Sequence, residues 1–230
     1  MTINFLYDSS TNQCNIGAKV LLTGWIRGEN NVVIVEDPLH ECTLDIRISG
    51  NGNRITLRKP FSVKGLSIRV GNHVPTHASE LLINDEFSIE SGGNFLLYNS
   101  GNKLHIGSKC MFSNTITVRC GDSPHLIFDQ ITGEYLDISE GVFIGDHVWV
   151  GERVYITKRA NIPSECLIAA CSVVTKKFTK TNTVMAGNPA KIVRENVQWI
   201  RNHSHLKDGS PYKISYQKCL DKYKDQTGKP

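Results

Sequence analysis

The sequence predicts an all-β coil stacked on itself, a solenoid, and three observations predict it. First, an aliphatic residue recurs every six positions through Ile144, Val150, Ile156, Ile162, Ile168 and Val174. Second, a small or β-branched residue follows each of the first five by four positions: Val148, Val154, Ala160, Cys166 and Ser172. A period of six fits neither a helix at 3.6 nor an isolated strand at 2. A short fixed repeat marks stacked units, each burying its apolar side only against its neighbours. Third, the register is interrupted once. It runs through Ile106, Phe112 and Val118, is lost, and is expected to resume at Ile138. The step from Val118 to Ile138 is not a multiple of six. A loop must therefore leave the coil there, at roughly Cys120–Asp137. Loops projecting from a rigid repeat often carry function.

The elements follow in order. Residues 1–103 read as short strands with irregular spacing. Examples are Val32–Val35, Leu44–Ile48, Ile55–Leu57, Leu66–Val70, Leu81–Ile83, Phe87–Ile89 and Phe95–Leu97. Turns containing Gly and Asn separate them, at Ser49–Asn53, Gly71–Asn72 and Gly92–Asn94. They are expected to form early coils with imperfect hexads; a separate small β-domain is the alternative. Residues 104–194 hold the regular repeat with its loop at 120–137. Residues 195–230 are expected to form a helical extension. It starts near Glu195–Trp199, packs over the end of the coil, and ends in a polar disordered tail at Asp221–Pro230.

Composition excludes several classes. Hydrophobic content of 40% and charged content of 21% are ordinary for a globular protein. MTINFLYDSS lacks a basic region followed by an apolar run, and no apolar stretch is long enough to span a bilayer. A cytoplasmic protein without a membrane span is expected. The seven cysteines are odd in number and have no C-x-x-C spacing. Cys110 and Cys166 fall on the small inward hexad position, so reduced, packed thiols are expected. A net charge of +4, with no basic stripe of interleaved aromatics, does not argue for nucleic acid. It suits anionic ligands.

The Ile144–Gly151 segment, I-G-D-H-V-W-V-G, and the Ala186–Lys191 segment, A-G-N-P-A-K, resemble elements of the hexapeptide-repeat acyltransferases. The likeness is specific from about Leu104 to Arg194. Within that family it is strongest to the bacterial capsule and surface-polysaccharide O-acetyltransferases, including those that modify sialic acid polymers. The resemblance implies a left-handed parallel β-helix, acetyl-CoA as co-substrate, no metal, and a homotrimer whose sites lie between two coils.

Transfer of an acyl group from a thioester to a hydroxyl needs a base for the hydroxyl proton and donors for the oxyanion. The loop supplies one histidine, His125, in CGDSPHLIFD. A histidine in the loop before the I-G-D-x-V-W element is the general base in the family, and His125 occupies that place. Asp122 is the first candidate to orient its ring, with Asp129 and Asp137 behind it. Trp149 stands at an outward hexad position, where a large ring is costly unless it meets a ligand or another subunit. The resemblance implies that it lines the acetyl-transfer site.

One coil is three hexads, so residues three hexads apart stack. Gly151 over Ala169 and Glu152 over Ala170 then leave a shallow column for a pantetheine arm. By resemblance the coenzyme contacts fall on Gly151, Ala170, Thr175, Lys176, and Lys191 or Arg194, with Lys177 and Lys180 adding charge for the phosphates. His147 reads as a surface or interface residue. The expected activity is acetyl-CoA-dependent O-acetylation of a bacterial capsular or surface polysaccharide. The alternatives are acetylation of a small amino sugar, nucleotide sugar or antibiotic, or a non-acylating coil. A zinc hydratase on the same coil needs three converging imidazoles, and His105 and His147 do not fall in its pattern.

Overall fold

The structure is a computed structural model and describes residues 4–138 and 140–227. Two compact units divide the chain after Val197. Among the described residues the first unit is built from a 12-stranded and a 7-stranded sheet. The chain passes from one sheet to the other and returns one rung along. Every strand pairs in parallel with its counterpart a coil later, until Lys191–Arg194 closes antiparallel on Val184–Ala186. This is a parallel β-helix, and the strands of residues 4–106 lie in the same two sheets as the rest.

The hexad dictates the later coils. Ile144, Val150, Ile156, Ile162, Ile168 and Val174 are all buried, as are Val148, Val154, Ala160, Cys166 and Ser172. Trp149 pairs with Leu167 and Tyr155 with Val173, each partner three hexads further along the chain. Between the two inward positions the chain turns a sharp corner. His147, Arg153, Arg159, Glu165 and Cys171, again six apart, all take a left-handed φ of 52–66°. Such a conformation costs a non-glycine residue roughly 1–2 kcal/mol, so the stacked core must outweigh it at every corner. Gly151 has no room for a side chain: a Cβ there would lie 2.7 Å from the Ala170 nitrogen on the next coil.

The earlier coils are longer. Val20–Arg27, Cys42–Ser49, Ser62–Val70, Ser88–Leu97 and Met111–Cys120 each run 8 to 10 residues. The coil that leaves Ser62 returns to it only at Ser88, more than four hexads on. Phe87, Phe95 and Phe112 fill that larger interior, edge to face at centroid distances of 5.1–6.4 Å. One corner carries a buried asparagine ladder. The Asn31 side chain accepts the backbone N–H and the amide of Asn53, both at 3.0 Å. It donates to the Asn12 oxygen at 3.0 Å and to the Gly50 carbonyl at 2.9 Å. The ladder satisfies backbone groups that a wide corner would leave unpaired.

Three expectations are corrected. The hexad does not resume at Ile138, which is 55% exposed; the loop continues until Val142–Ile144 rejoins the smaller sheet. Met111 accordingly pairs with Trp149, so the coil that carries the loop is more than twice as long as the next, which runs from Trp149 to Leu167. Glu195–Trp199 is not helical. Asn196 takes a left-handed φ of 56°, and the Val197 N–H bonds back to the Asn182 carbonyl at 2.9 Å, so the segment is tied across a turn. The helix of the second unit is Pro211–Thr227. Ser210 caps it, accepting the Lys213 N–H at 3.2 Å, and Pro211 presets its first turn. Asp221–Thr227, expected to be disordered, continues that helix, and 228–230 lie outside the described residues.

Candidate active site

The loop is gripped at both ends by polar side chains from the coils. Asn102 donates to the Cys120 carbonyl at 2.9 Å where the strand ends. Asn72 donates to the Ser123 carbonyl at 2.9 Å, and the Asn99 oxygen accepts the Ser123 N–H at 3.1 Å. At the far end stands Asp137, 1% exposed. Its carboxylate accepts the Asn99 amide at 2.6 Å, the Asp122 N–H at 2.8 Å and the Lys158 ammonium at 2.5 Å. Lys158 also donates to Asp122 at 2.6 Å. Burial alone would raise the Asp137 pKa. The Lys158, Asp122 and Asn99 donors together outweigh it and hold the carboxyl below its ordinary value. Burial likewise pulls Lys158 down, and its two carboxylates more than offset this and raise it. The two loop ends are thus locked to each other and to the coil by one charge cluster built around the buried Asp137.

Between them the loop folds into a hairpin. Asp129 closes its tip, accepting the Ile131 and Thr132 N–H groups at 2.9 and 2.7 Å. Leu136 bonds back to Ile127 at 2.9 Å. Its outer surface is apolar: Leu126, Phe128 and Ile131 are exposed, Ile131 by 95%.

His125 opens onto a cleft of roughly 670 Å³, which Arg119, Asp122, Tyr155, Thr157, Lys158 and Thr175 also line. The structure therefore brings together His125, Asp122 and Thr175. It does not make Asp122 the orienter of the ring. The Asp122 carboxylate goes to Lys158 and, at 3.8 Å, to Arg119; only its backbone carbonyl meets His125, at 3.2 Å from the backbone N–H. Asp129 is likewise engaged by its turn and Asp137 by the clamp. Among the described residues the His125 imidazole has no hydrogen-bond partner, and it lines the cleft.

Trp149 does not line this cleft. It sits on the Trp149–Val150 strand, half-buried, its indole N–H 3.4 Å from the Ser113 hydroxyl. Of the candidate coenzyme contacts, Gly151 and Ala170 stack closely on adjacent coils, and Thr175 reaches the His125 cleft. Lys176 lies over the Phe178 ring at 5.1 Å. Lys177 is paired with Glu140 at 2.8 Å and Lys180 with Glu195 at 2.5 Å, so their charge is partly neutralised within the chain. Lys191 and Arg194 both lie exposed on the closing strand with no carboxylate partner among the described residues. His105 and His147 are each held by a glutamate, Glu80 at 2.8 Å and Glu165 at 2.7 Å. Lys158, Arg119, Tyr155 and Thr157 were not predicted as site residues. Their only signal is an outward hexad position or a corner, which the sequence does not distinguish from solvated surface.

No protein-family model matches the chain. Two solved structures resemble it over nearly its whole length. The polySia-specific acetyltransferase NeuO aligns with a TM-score of 0.76 at 26% identity, covering 95% of this chain and 98% of its own. The polysialic acid O-acetyltransferase OatWY aligns with a TM-score of 0.74 at 27% identity, covering 90% of this chain and 95% of its own. The chain is thus a hexapeptide-repeat, left-handed parallel β-helix that resembles polysialic acid O-acetyltransferases over nine-tenths or more of its length, and it is an acyltransferase.

Proposed function

We propose that this protein transfers the acetyl group of acetyl-CoA to a hydroxyl of an acidic bacterial capsular or surface polysaccharide, of the sialic acid type, with His125 as general base. The observation that carries the reading is the clamped loop. A charge cluster around the buried Asp137 fixes its ends, and the histidine it presents lines a cleft with no partner among the described residues. His125 takes the proton from the acceptor hydroxyl as its oxygen attacks the thioester carbonyl. The tetrahedral intermediate collapses, the carbon–sulfur bond breaks, and the imidazolium returns the proton to the departing thiolate. No acyl-enzyme is required, since no activated nucleophile lines the cleft among the described residues. Asp122 and Asp137 act as positioning residues, holding the loop through Lys158.

Gly151, Ala170, Thr175, Lys176 and Lys177 form the coenzyme groove, and Lys191 and Arg194 meet its phosphates. The apolar outer surface of the loop supports a homotrimer in which Leu126, Phe128 and Ile131 seat against a neighbouring coil. Trp149 of that neighbour then faces the acetyl group. No helix among the described residues is long and apolar enough to cross a membrane, and we assign the protein to the cytoplasm.

Thiol release from acetyl-CoA tests the reading, with purified protein and a panel of acidic and neutral polysaccharides. Release that depends on an acidic polymer, with product acetate removed by mild base, is the expected result. Release that depends only on an amino sugar, leaving a base-stable amide, would overturn it.

A further inference from the structure

We propose that the sheet face running from the His125 cleft toward the N-terminal coils is a binding track for an anionic glycan, gripped chiefly by Arg69 and Arg47. The proposal rests on the acetyltransferase reading above and adds how the acceptor is held. The strand register places Thr157, Arg119, Leu96, Arg69, Arg47 and Trp25 in one column, each opposite the next. All three arginines point outward, because both chain neighbours of each are buried: Ile46 and Ile48, Ile68 and Val70, Val118 and Cys120. Successive rungs lie about 4.8 Å apart, so the column spans roughly 24 Å. Its near end is inside the cleft, since Arg119 and Thr157 line it with His125. At its far end the Arg27 guanidinium lies 4.4 Å from the Trp25 ring centroid.

The fold alone does not favour this arrangement. Arg47 and Arg69 are directly opposite on neighbouring strands, and like charges so placed destabilise a sheet. One carboxylate is near them, Asp45, 2.9 Å from the Arg47 Nε. Arg69 reaches only the Ser67 hydroxyl, at 3.4 Å, and has no carboxylate partner among the described residues. At the cleft Asp122 is 3.8 Å from Arg119 and is already held by Lys158. The guanidiniums thus outnumber their counter-charges. A chain bearing carboxylates at intervals supplies what is missing, through paired N–H donors that match a carboxylate's two oxygens. Arg69 and Arg119 are two rungs apart, about 10 Å. A ligand meeting both must carry repeated anionic groups, so the track selects an oligomer or polymer over a single acidic sugar.

The test is the affinity of the protein for polysialic acid in the absence of acetyl-CoA, with dextran as the neutral control. Arg69→Gln is expected to weaken binding about 10-fold, and Arg47→Gln with Arg69→Gln about 100-fold. Raising salt should weaken the wild type more steeply than the double variant. Arg69→Lys, which keeps the charge and loses the fork, should fall between. The thermal midpoint of Arg69→Gln should equal or exceed the wild type, since this arginine has no carboxylate partner among the described residues and its repulsion with Arg47 is relieved. Unchanged affinity in the double variant would overturn the track. So would a change in assembly size by light scattering, which would make the face a contact between copies. Arginine-dependent binding of the polymer without any acetyl transfer would uphold the track while the transfer reading fails. Normal acetyl transfer with an unaltered KM for polymer in the double variant would do the reverse.

Discussion

The coils before and after the loop enclose the same kind of core with different lengths of chain. After it, the coil from Trp149 closes at Leu167 and the coil from Tyr155 at Val173, three hexads each, and the strands of these coils are two or three residues long. Before it, every coil exceeds three hexads, and by unequal amounts. Gln13 meets its partner at Val32, Val20 at Cys42, and Ser62 only at Ser88. Both regions turn on non-glycine residues in left-handed φ, Lys59, Glu86 and Lys109 before the loop and His147 to Cys171 after it, but only the later ones recur at a strict step of six. The earlier coils turn more widely and rely on the buried asparagine ladder and the phenylalanine stack. Regular pitch makes a flat, repetitive surface suited to a long coenzyme. Wider coils make room for extended outward columns such as the arginines. The loop sits at the junction, held by Asn72, Asn99 and Asn102 from one region and Lys158 from the other.

Cutting that junction should have the largest effect. Lys158→Met leaves Asp137 buried without its cation, and a broken buried pair of this kind costs about 3–5 kcal/mol. Chemical denaturation should show it, together with a fall in kcat larger than any change in acetyl-CoA affinity as the loop loosens. The pH dependence has a definite sign. The Asp137 carboxyl is held below 3.8 in the fold, so its contribution is complete above that value and is lost as pH falls through the lowered one. Lys158 is raised above 10.5, so its contribution is complete below 10.5 and is lost as pH climbs through the raised value. The stability gap between wild type and Asp137→Asn should therefore be flat across neutral pH and narrow below about pH 4, as the carboxylate protonates, and above about pH 10.5, as Lys158 loses its proton. A gap that changed between pH 6 and 8 would contradict the clamp.

Asn31→Ala probes the wide coils. It takes the acceptor from the buried Asn53 backbone N–H and the side-chain donor from the Gly50 carbonyl, at about 3 kcal/mol in total. A cost under about 1 kcal/mol in the same denaturation assay would mean that the ladder is not what closes those corners. Ser172→Ala probes the tight coils and should cost least, about 1 kcal/mol, for one bond from the Gly187 N–H at 3.1 Å. If Ser172→Ala proved the more damaging of the two, the contrast drawn between the regions would be reversed.

What was legible in the chain follows the same division. The hexad at Ile144–Val174 announces tight coils because each inward residue recurs at a fixed step. In the wide coils, longer and unequal steps scatter the same inward residues, and strands such as Ser88–Leu97 read only as local β-structure. That the projecting loop carries a histidine was legible from its place before the I-G-D-H-V-W run, and the structure sets that histidine beside a cleft. Its anchoring was not: Asn99 and Asp137 are 38 residues apart and Asp122 and Lys158 are 36 apart, and only the stacking of coils joins them. Nearness in sequence pointed Asp122 at the ring, whereas its charge is needed by Lys158. The helix beginning at Pro211 carried a readable start signal, Ser210 followed by proline, that the apolar residues near Trp199 overshadowed.

The most direct test of the account is the turnover of His125→Ala with acetyl-CoA and an acidic polysaccharide, measured beside its affinity for acetyl-CoA and its thermal midpoint. The account predicts a loss in kcat of about 100-fold or more, with coenzyme binding and stability at wild-type levels. Near-wild-type turnover would contradict it, since the clamped loop would then be presenting a residue that the chemistry does not use.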